Sequence, residues 1–77
     1  MTKTLGERRI GTSFNPSNDS FIDVIKQESA RLIDLIDRAV PKNDISEEDF
    51  KEFKRLQALA LTNYELAAMC AVKAFTI

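Results

Sequence analysis

Histidine is absent from this sequence and cysteine occurs once, at Cys70, and together these two scarcities close off several kinds of chemistry. One cysteine forms no intrachain disulfide, and an ordinary zinc site lacks its imidazoles. A serine or cysteine nucleophile would have to find its base in a lysine or an aspartate. Charge of one sign is also missing: 11 basic residues stand against 12 acidic ones, for a net charge of −1. That balance disfavours a duplex nucleic-acid binder with a broad positive face. A small anionic ligand needs only two or three local cations and stays open. No uninterrupted apolar run is long enough for a membrane span, since Gln57, Thr62, Asn63, Glu65 and Lys73 punctuate the most apolar stretch. A signal-peptide apolar region is missing at the N-terminus, and a lone thiol suits a reducing interior, so a cytoplasmic location is expected.

With 77 residues the chain makes one domain at most, and a domain this small needs help from disulfides, metal or self-association. The first two are lacking. Oligomerisation is left as the expected source of stability.

What the sequence does contain is helical. SFIDVIKQESARLIDLIDRAVP, residues 20 to 41, places Phe21, Val24, Ile25, Leu32, Leu35, Ile36 and Ala39 together at about 100° per residue. Ile22, Ile33 and Val40 widen the apolar arc to roughly 180°. One neighbouring helix covers less than that, which again argues for assembly. Lys26 falls at the polar edge, its stem against Ile22 and Ile33 and its ammonium directed outward; most such lysines only solvate a helix face. Ser20 is the expected cap with Asp23 at the capping-box position, Asp19 or Ser17 being alternatives. Pro41 marks the expected end. Residues 41–46 form a turn of a length that joins antiparallel helices. Ser46, Asp49 and a first turn of Glu47 and Glu48 then start a second helix. Its later part, ALALTNYELAAMCAVKAFTI, is apolar nearly all round, which predicts burial on every side in a helical oligomer. Cys70 and Tyr64 are expected in that core, and its alanines allow helices to approach closely.

Residues 1–19 hold both glycines, Gly6 and Gly11, and show no helical period. They read as an extended arm with Leu5, Ile10 and Phe14 as apolar anchors and Arg8 and Arg9 as local positive charge. The expected architecture is therefore all-α: one domain over 1–77, an arm over 1–19, helices over about 20–40 and 46–75, and an antiparallel hairpin that assembles into an oligomer.

Catalytic groups are hard to find. Asp34 and Asp37 are expected on the exposed side of the first helix, and no metal cluster or cofactor site is evident. Glu28 and Ser29 fall inside the apolar arc, where a carboxylate would need a cation from another subunit. Phe14-Asn15-Pro16 permits two readings, a hydrophobic staple ahead of the helix cap or a platform for a stacked nucleobase with Asn15 reading its edge. On the residues alone the staple is the simpler.

IKQESARLIDLIDRAVP and LTNYELAAMCAVKA, in their order and spacing, resemble the phage-encoded anti-CBASS protein 2 family of cyclic-oligonucleotide sponges, including a T4-like phage member. The similarity runs from about Arg9 to Phe75. It implies a compact helical oligomer, a hexamer, that binds cyclic dinucleotides such as 3′,3′-cGAMP between subunits without cleaving them and so blocks bacterial CBASS effectors in the infected host's cytoplasm. The family's arm aromatic stacks on a base and a basic residue of the first long helix meets a phosphate. Here those roles fall to Phe14, with Asn15 and Pro16 beside it, and to Lys26; Arg9 completes the candidate ligand-binding set. The family's arm usually reads Tyr-His-x-Pro where this chain has Phe-Asn-Pro. Some members also bind cyclic trinucleotides at a separate site through an arginine near the C-terminus, and this chain has Phe75-Thr76-Ile77 there, so trinucleotides are the less expected partner. A helical module that docks on a host protein is the alternative from a different class, while a membrane hairpin and a cyclic-oligonucleotide hydrolase have less to support them.

Overall fold

The computed structural model describes residues 2–15 and 19–77. Three helices follow in order, α1 (Leu5–Ile10), α2 (Ser20–Arg38) and α3 (Glu47–Ala74). All regular structure among the described residues is helical, as expected, but the arm is not extended.

α1 is made by local capping and held by packing. Thr4 and Glu7 form a reciprocal capping box: the Thr4 hydroxyl accepts the Glu7 N–H at 3.1 Å and the Glu7 carboxylate accepts the Thr4 N–H at 2.8 Å. Gly11 ends the helix in the left-handed region at φ 70°, its N–H donating to the Glu7 carbonyl at 2.9 Å. Six residues cannot sustain a helix alone, because so few bonds do not offset nucleation. The support comes from α2. Gly6 is buried, and its N–H donates to Asp34 Oδ1 at 2.8 Å. A Cβ on Gly6 would lie 2.1 Å from the Ala30 carbonyl oxygen, so the two backbones approach to a distance that only glycine permits. Asp34, expected on the solvent side, is instead a half-buried acceptor that secures α1.

In α2 the cap is Asp19, whose side chain accepts the Phe21 N–H at 2.8 Å; Ser20 is the first helical residue. The helix stops at Arg38, and Ala39 already has ψ 140°, two residues ahead of the proline that requires an extended neighbour. Its buried face is the row Ile22, Lys26, Ala30 and Ile33, with Ile22 and Ile33 at 2% and 0% exposure. The rest of the apolar arc is open: Val24 and Leu35 are exposed. Glu28, expected to be buried, is exposed and pairs with Arg31 one turn along at 3.3 Å. Its carboxylate needs no cation from elsewhere.

α3 begins as read, with the Ser46 hydroxyl accepting the Asp49 N–H at 3.0 Å. It runs antiparallel to α2. The T-shaped contact of Phe21 and Phe75, centroids 4.9 Å apart, joins the start of α2 to the end of α3. At the other end Gln57 Nε2 donates to the Ile36 carbonyl at 2.8 Å, which also accepts the Ala39 N–H at 3.2 Å, and so ties α3 to the last turn of α2. The connecting turn contains Asp44 at φ 63°, a conformation that aspartate tolerates better than most residues.

The Cα atoms span 47 × 29 × 13 Å. The shortest dimension has room for one helix-to-helix distance of about 8–10 Å and no more. All-round burial of α3 is therefore not achieved within one chain: Leu61 and Ala68 are buried, while Leu59, Leu66, Met69, Tyr64 and Cys70 are exposed. Among the described residues no helix is both long and apolar enough to cross a membrane.

Candidate ligand-binding cleft

Lys26 is where the sequence and the fold part most clearly. It continues the row of Ile22, Ala30 and Ile33 and is 7% exposed, so the outward ammonium expected from helical spacing is not observed. The turn after α1 closes over it. Its ammonium donates to the Phe14 carbonyl and, at 3.4 Å, to the Gly11 carbonyl. Both oxygens lie in the turn that follows α1, and that of Gly11 also accepts the Phe14 N–H at 3.0 Å. The Lys26 Nζ also stands 5.4 Å from the centroid of the Phe14 ring, within range of a cation–π attraction. An ammonium has three donors. Two of them are used, which leaves one for a further acceptor.

Phe14 itself is 70% exposed. Its ring is thus presented to solvent while its backbone is tethered to α2. An open cleft of about 480 Å³ lies beside it, within the size range of small-molecule sites. Phe14 and Lys26 line one part, and Met69, Val72 and Lys73 from the last turns of α3 line another, with Thr76 just past its end. The three helical positions are spaced i, i+3, i+4 and so share one helix face. That spacing was legible in the sequence. Which element the face would meet was not, so these residues escaped the sequence reading.

The other candidates stand apart. Asn15 donates its amide N–H to the Asp19 carbonyl at 3.0 Å and lines a separate polar depression with Asp19 and Asp23. Arg9 is directed to α3, its Nε 3.8 Å from Glu65 Oε1, with both side chains about one-third exposed (35% and 34%). Such a partly solvated pair contributes little energy, although it ties α1 to α3. Pro16, and Ser17 as an alternative cap, lie outside the described residues. The candidate set is therefore brought together in part: Phe14 and Lys26 meet at one cleft, and Asn15 and Arg9 serve other contacts. Among the described residues no group of three or more acidic or cysteine side chains is placed to hold a metal.

A short capped helix packed across an antiparallel helical pair, with an aromatic ring over a cation, defines a small all-helical hairpin module. The chain belongs to the Acb2/Tad1 hairpin-domain family: the family model described as "Acb2/Tad1, hairpin domain" matches residues 6–76. This is the anti-CBASS protein 2 family that the sequence resembles. It is a family of sponge-like domains that bind cyclic oligonucleotides. Curated proteins and solved structures give no match to the chain.

Proposed function

We propose that this chain binds cyclic dinucleotides, 3′,3′-cGAMP among them, in the cleft beside Phe14 and Lys26 and withholds them from CBASS effectors without cleaving them. The observation that carries this reading is the pairing of an exposed aromatic ring with a buried ammonium on one small open cleft. A nucleobase stacks on the Phe14 ring, at about 1–3 kcal/mol per base. The third donor of Lys26 takes a phosphate oxygen in a charge-assisted hydrogen bond. Nothing in this scheme needs a nucleophile or a base; intact ligand is held, and sequestration follows from affinity and abundance. The site of action is the cytoplasm of the infected bacterium.

Assembly is part of the proposal. Val24, Leu35 and Leu66 are more than half exposed, at 56%, 61% and 55%, and copies of the same chain packed on these faces would bury them. In a symmetric oligomer, a hexamer by family likeness, a two-fold contact would supply Phe14 and Lys26 twice to a ligand with two bases and two phosphates. The same exposed apolar faces favour the second reading, a module that docks on a host protein.

One experiment separates these readings. Light scattering on purified protein gives its mass, calorimetry with 3′,3′-cGAMP gives binding, and chromatography after heat denaturation identifies the released nucleotide. An oligomer with sub-micromolar affinity and intact nucleotide recovered is the expected result. Linear product would make the chain an enzyme. A monomer silent toward a panel of cyclic di- and trinucleotides would leave the docking module.

A further inference from the structure

The end of α3 brings a second cation to the cleft that holds Phe14 and Lys26. Lys73 lines it and is exposed. Several other cations on these helices are occupied, Arg31 by Glu28, Arg55 by Glu52, Arg9 by Glu65 and Lys26 by two carbonyls, while Arg8 and Lys51, which pair with no side chain among the described residues, do not line the cleft. The reason Lys73 stays unpaired is visible in the sequence. The positions three and four residues away along its helix are Met69, Cys70, Thr76 and Ile77, so it has no carboxylate within helical reach. Among the described residues its ammonium has no hydrogen-bond or ion-pair partner.

A lysine on the last turn of a helix usually projects from a fraying end, and here that end is fixed. The Thr76 hydroxyl donates to the Lys73 carbonyl at 3.1 Å. The Thr76 N–H donates to the same carbonyl, and the Phe75 N–H to that of Ala71, each at 3.2 Å. The edge-on contact of Phe75 with Phe21 then pins the turn to the start of α2. The base of the Lys73 side chain is thereby held at the rim of the cleft, with Met69 and Val72 forming apolar surface beside it.

We infer that Lys73 is a second phosphate-binding residue of this cleft, taking a phosphodiester oxygen of the ligand while Lys26 takes another. The inference rests on the cyclic-dinucleotide reading above. At a two-fold contact, Lys26 and Lys73 would stand as a pair beside each of the ligand's two phosphodiesters. Met69 and Val72 would meet its ribose and base edges. Lys73 thus links the C-terminal turn of α3 to ligand affinity. An ordinary role exists for comparison, since any cation in a last turn is favoured by the helix dipole.

The test is calorimetry of 3′,3′-cGAMP with the wild type, Lys73→Gln, Lys73→Arg and Lys26→Ala, each at several NaCl concentrations, with helix content and oligomer mass followed in parallel. Lys73→Gln is expected to lose about 10- to 100-fold in affinity, as for a charge-assisted hydrogen bond, and to show a shallower fall of affinity with salt. Lys73→Arg should retain most of both. A role confined to the helix dipole would move neither affinity nor salt dependence. If the wild type binds, Lys26→Ala does not, and Lys73→Gln matches the wild type in both readouts, this inference is overturned and the Phe14–Lys26 site stands. If the wild type binds no cyclic dinucleotide, the parent reading is overturned and this one falls with it.

Discussion

Replacing Gly6 by alanine should destabilise the chain, although helix propensity alone predicts a gain of up to about 1 kcal/mol. The added Cβ would stand 2.1 Å from the Ala30 carbonyl oxygen and 2.9 Å from the Ala30 Cα. Both are backbone atoms, so no rotamer change relieves the clash; α1 must move off α2. Overpacking of this kind costs about 1–3 kcal/mol. Displacement also breaks the hydrogen bond from Gly6 N–H to Asp34 Oδ1, 2.8 Å long, and a bond to a charged group contributes about 1.5–3 kcal/mol. Offsetting the propensity gain leaves a net loss of about 1.5–5 kcal/mol. That is a large share of the stability of a chain this size. The loss should be local. Hydrogen exchange measured by mass spectrometry, at fixed protein concentration because oligomerisation shifts apparent stability, should show the amides of residues 5–12 losing protection while those of α3 keep most of theirs. Ligand affinity should fall as well, since Gly11 and Phe14 reach Lys26 only while α1 is seated. A Gly6→Ala protein with protected α1 amides and an unchanged or higher denaturation midpoint would refute the packing argument.

Phe14→Ala should leave stability within about 0.5 kcal/mol, as expected for a surface side chain, since the ring is 70% exposed. Its affinity for 3′,3′-cGAMP should drop by at least roughly 5- to 150-fold, the equivalent of one lost stack, and by more where a two-fold site loses both rings, and calorimetry beside a melting curve checks both. Lys26→Met keeps most of the stem and removes the ammonium. It should abolish tight binding and expose the turn after α1 to faster limited proteolysis, because the Gly11 and Phe14 carbonyls lose their shared donor. Ser46→Ala should cost about 1 kcal/mol by removing the α3 cap without changing affinity, which makes it a control for stability effects in thermal melts.

The capping chemistry explains how far the sequence could be read. Ser46 with Asp49 announced α3 correctly because both partners lie within one turn and no distant residue is involved. Thr4 and Glu7 carry the same signal with the same spacing, yet by its sequence the arm reads as extended. Its helix is too short to show an apolar period, so the cap and the stop at Gly11 were the only local marks of it. Lys26 sits at an edge by helical spacing and beneath the turn after α1 in the fold. Helical spacing locates a side chain on an edge; it does not say whether another segment will fold across that edge.

Local order, then, was determined by the sequence itself: an all-helical chain, a long α2 and α3 joined by a turn, an apolar surface larger than one hairpin covers, and a membership that covers residues 6–76. These depend on interactions within a few residues, caps and 3.6-residue periodicity, or on composition. Tertiary structure decided the rest. Gly6 against Ala30, Asp34 under α1, Lys26 beneath the carbonyls of Gly11 and Phe14, and Met69, Val72 and Lys73 beside the Phe14 ring join residues from 12 to 28 positions apart or more. Such contacts form only when three helices have found one packing arrangement, and that arrangement is selected by steric fit between faces, which no local pattern encodes.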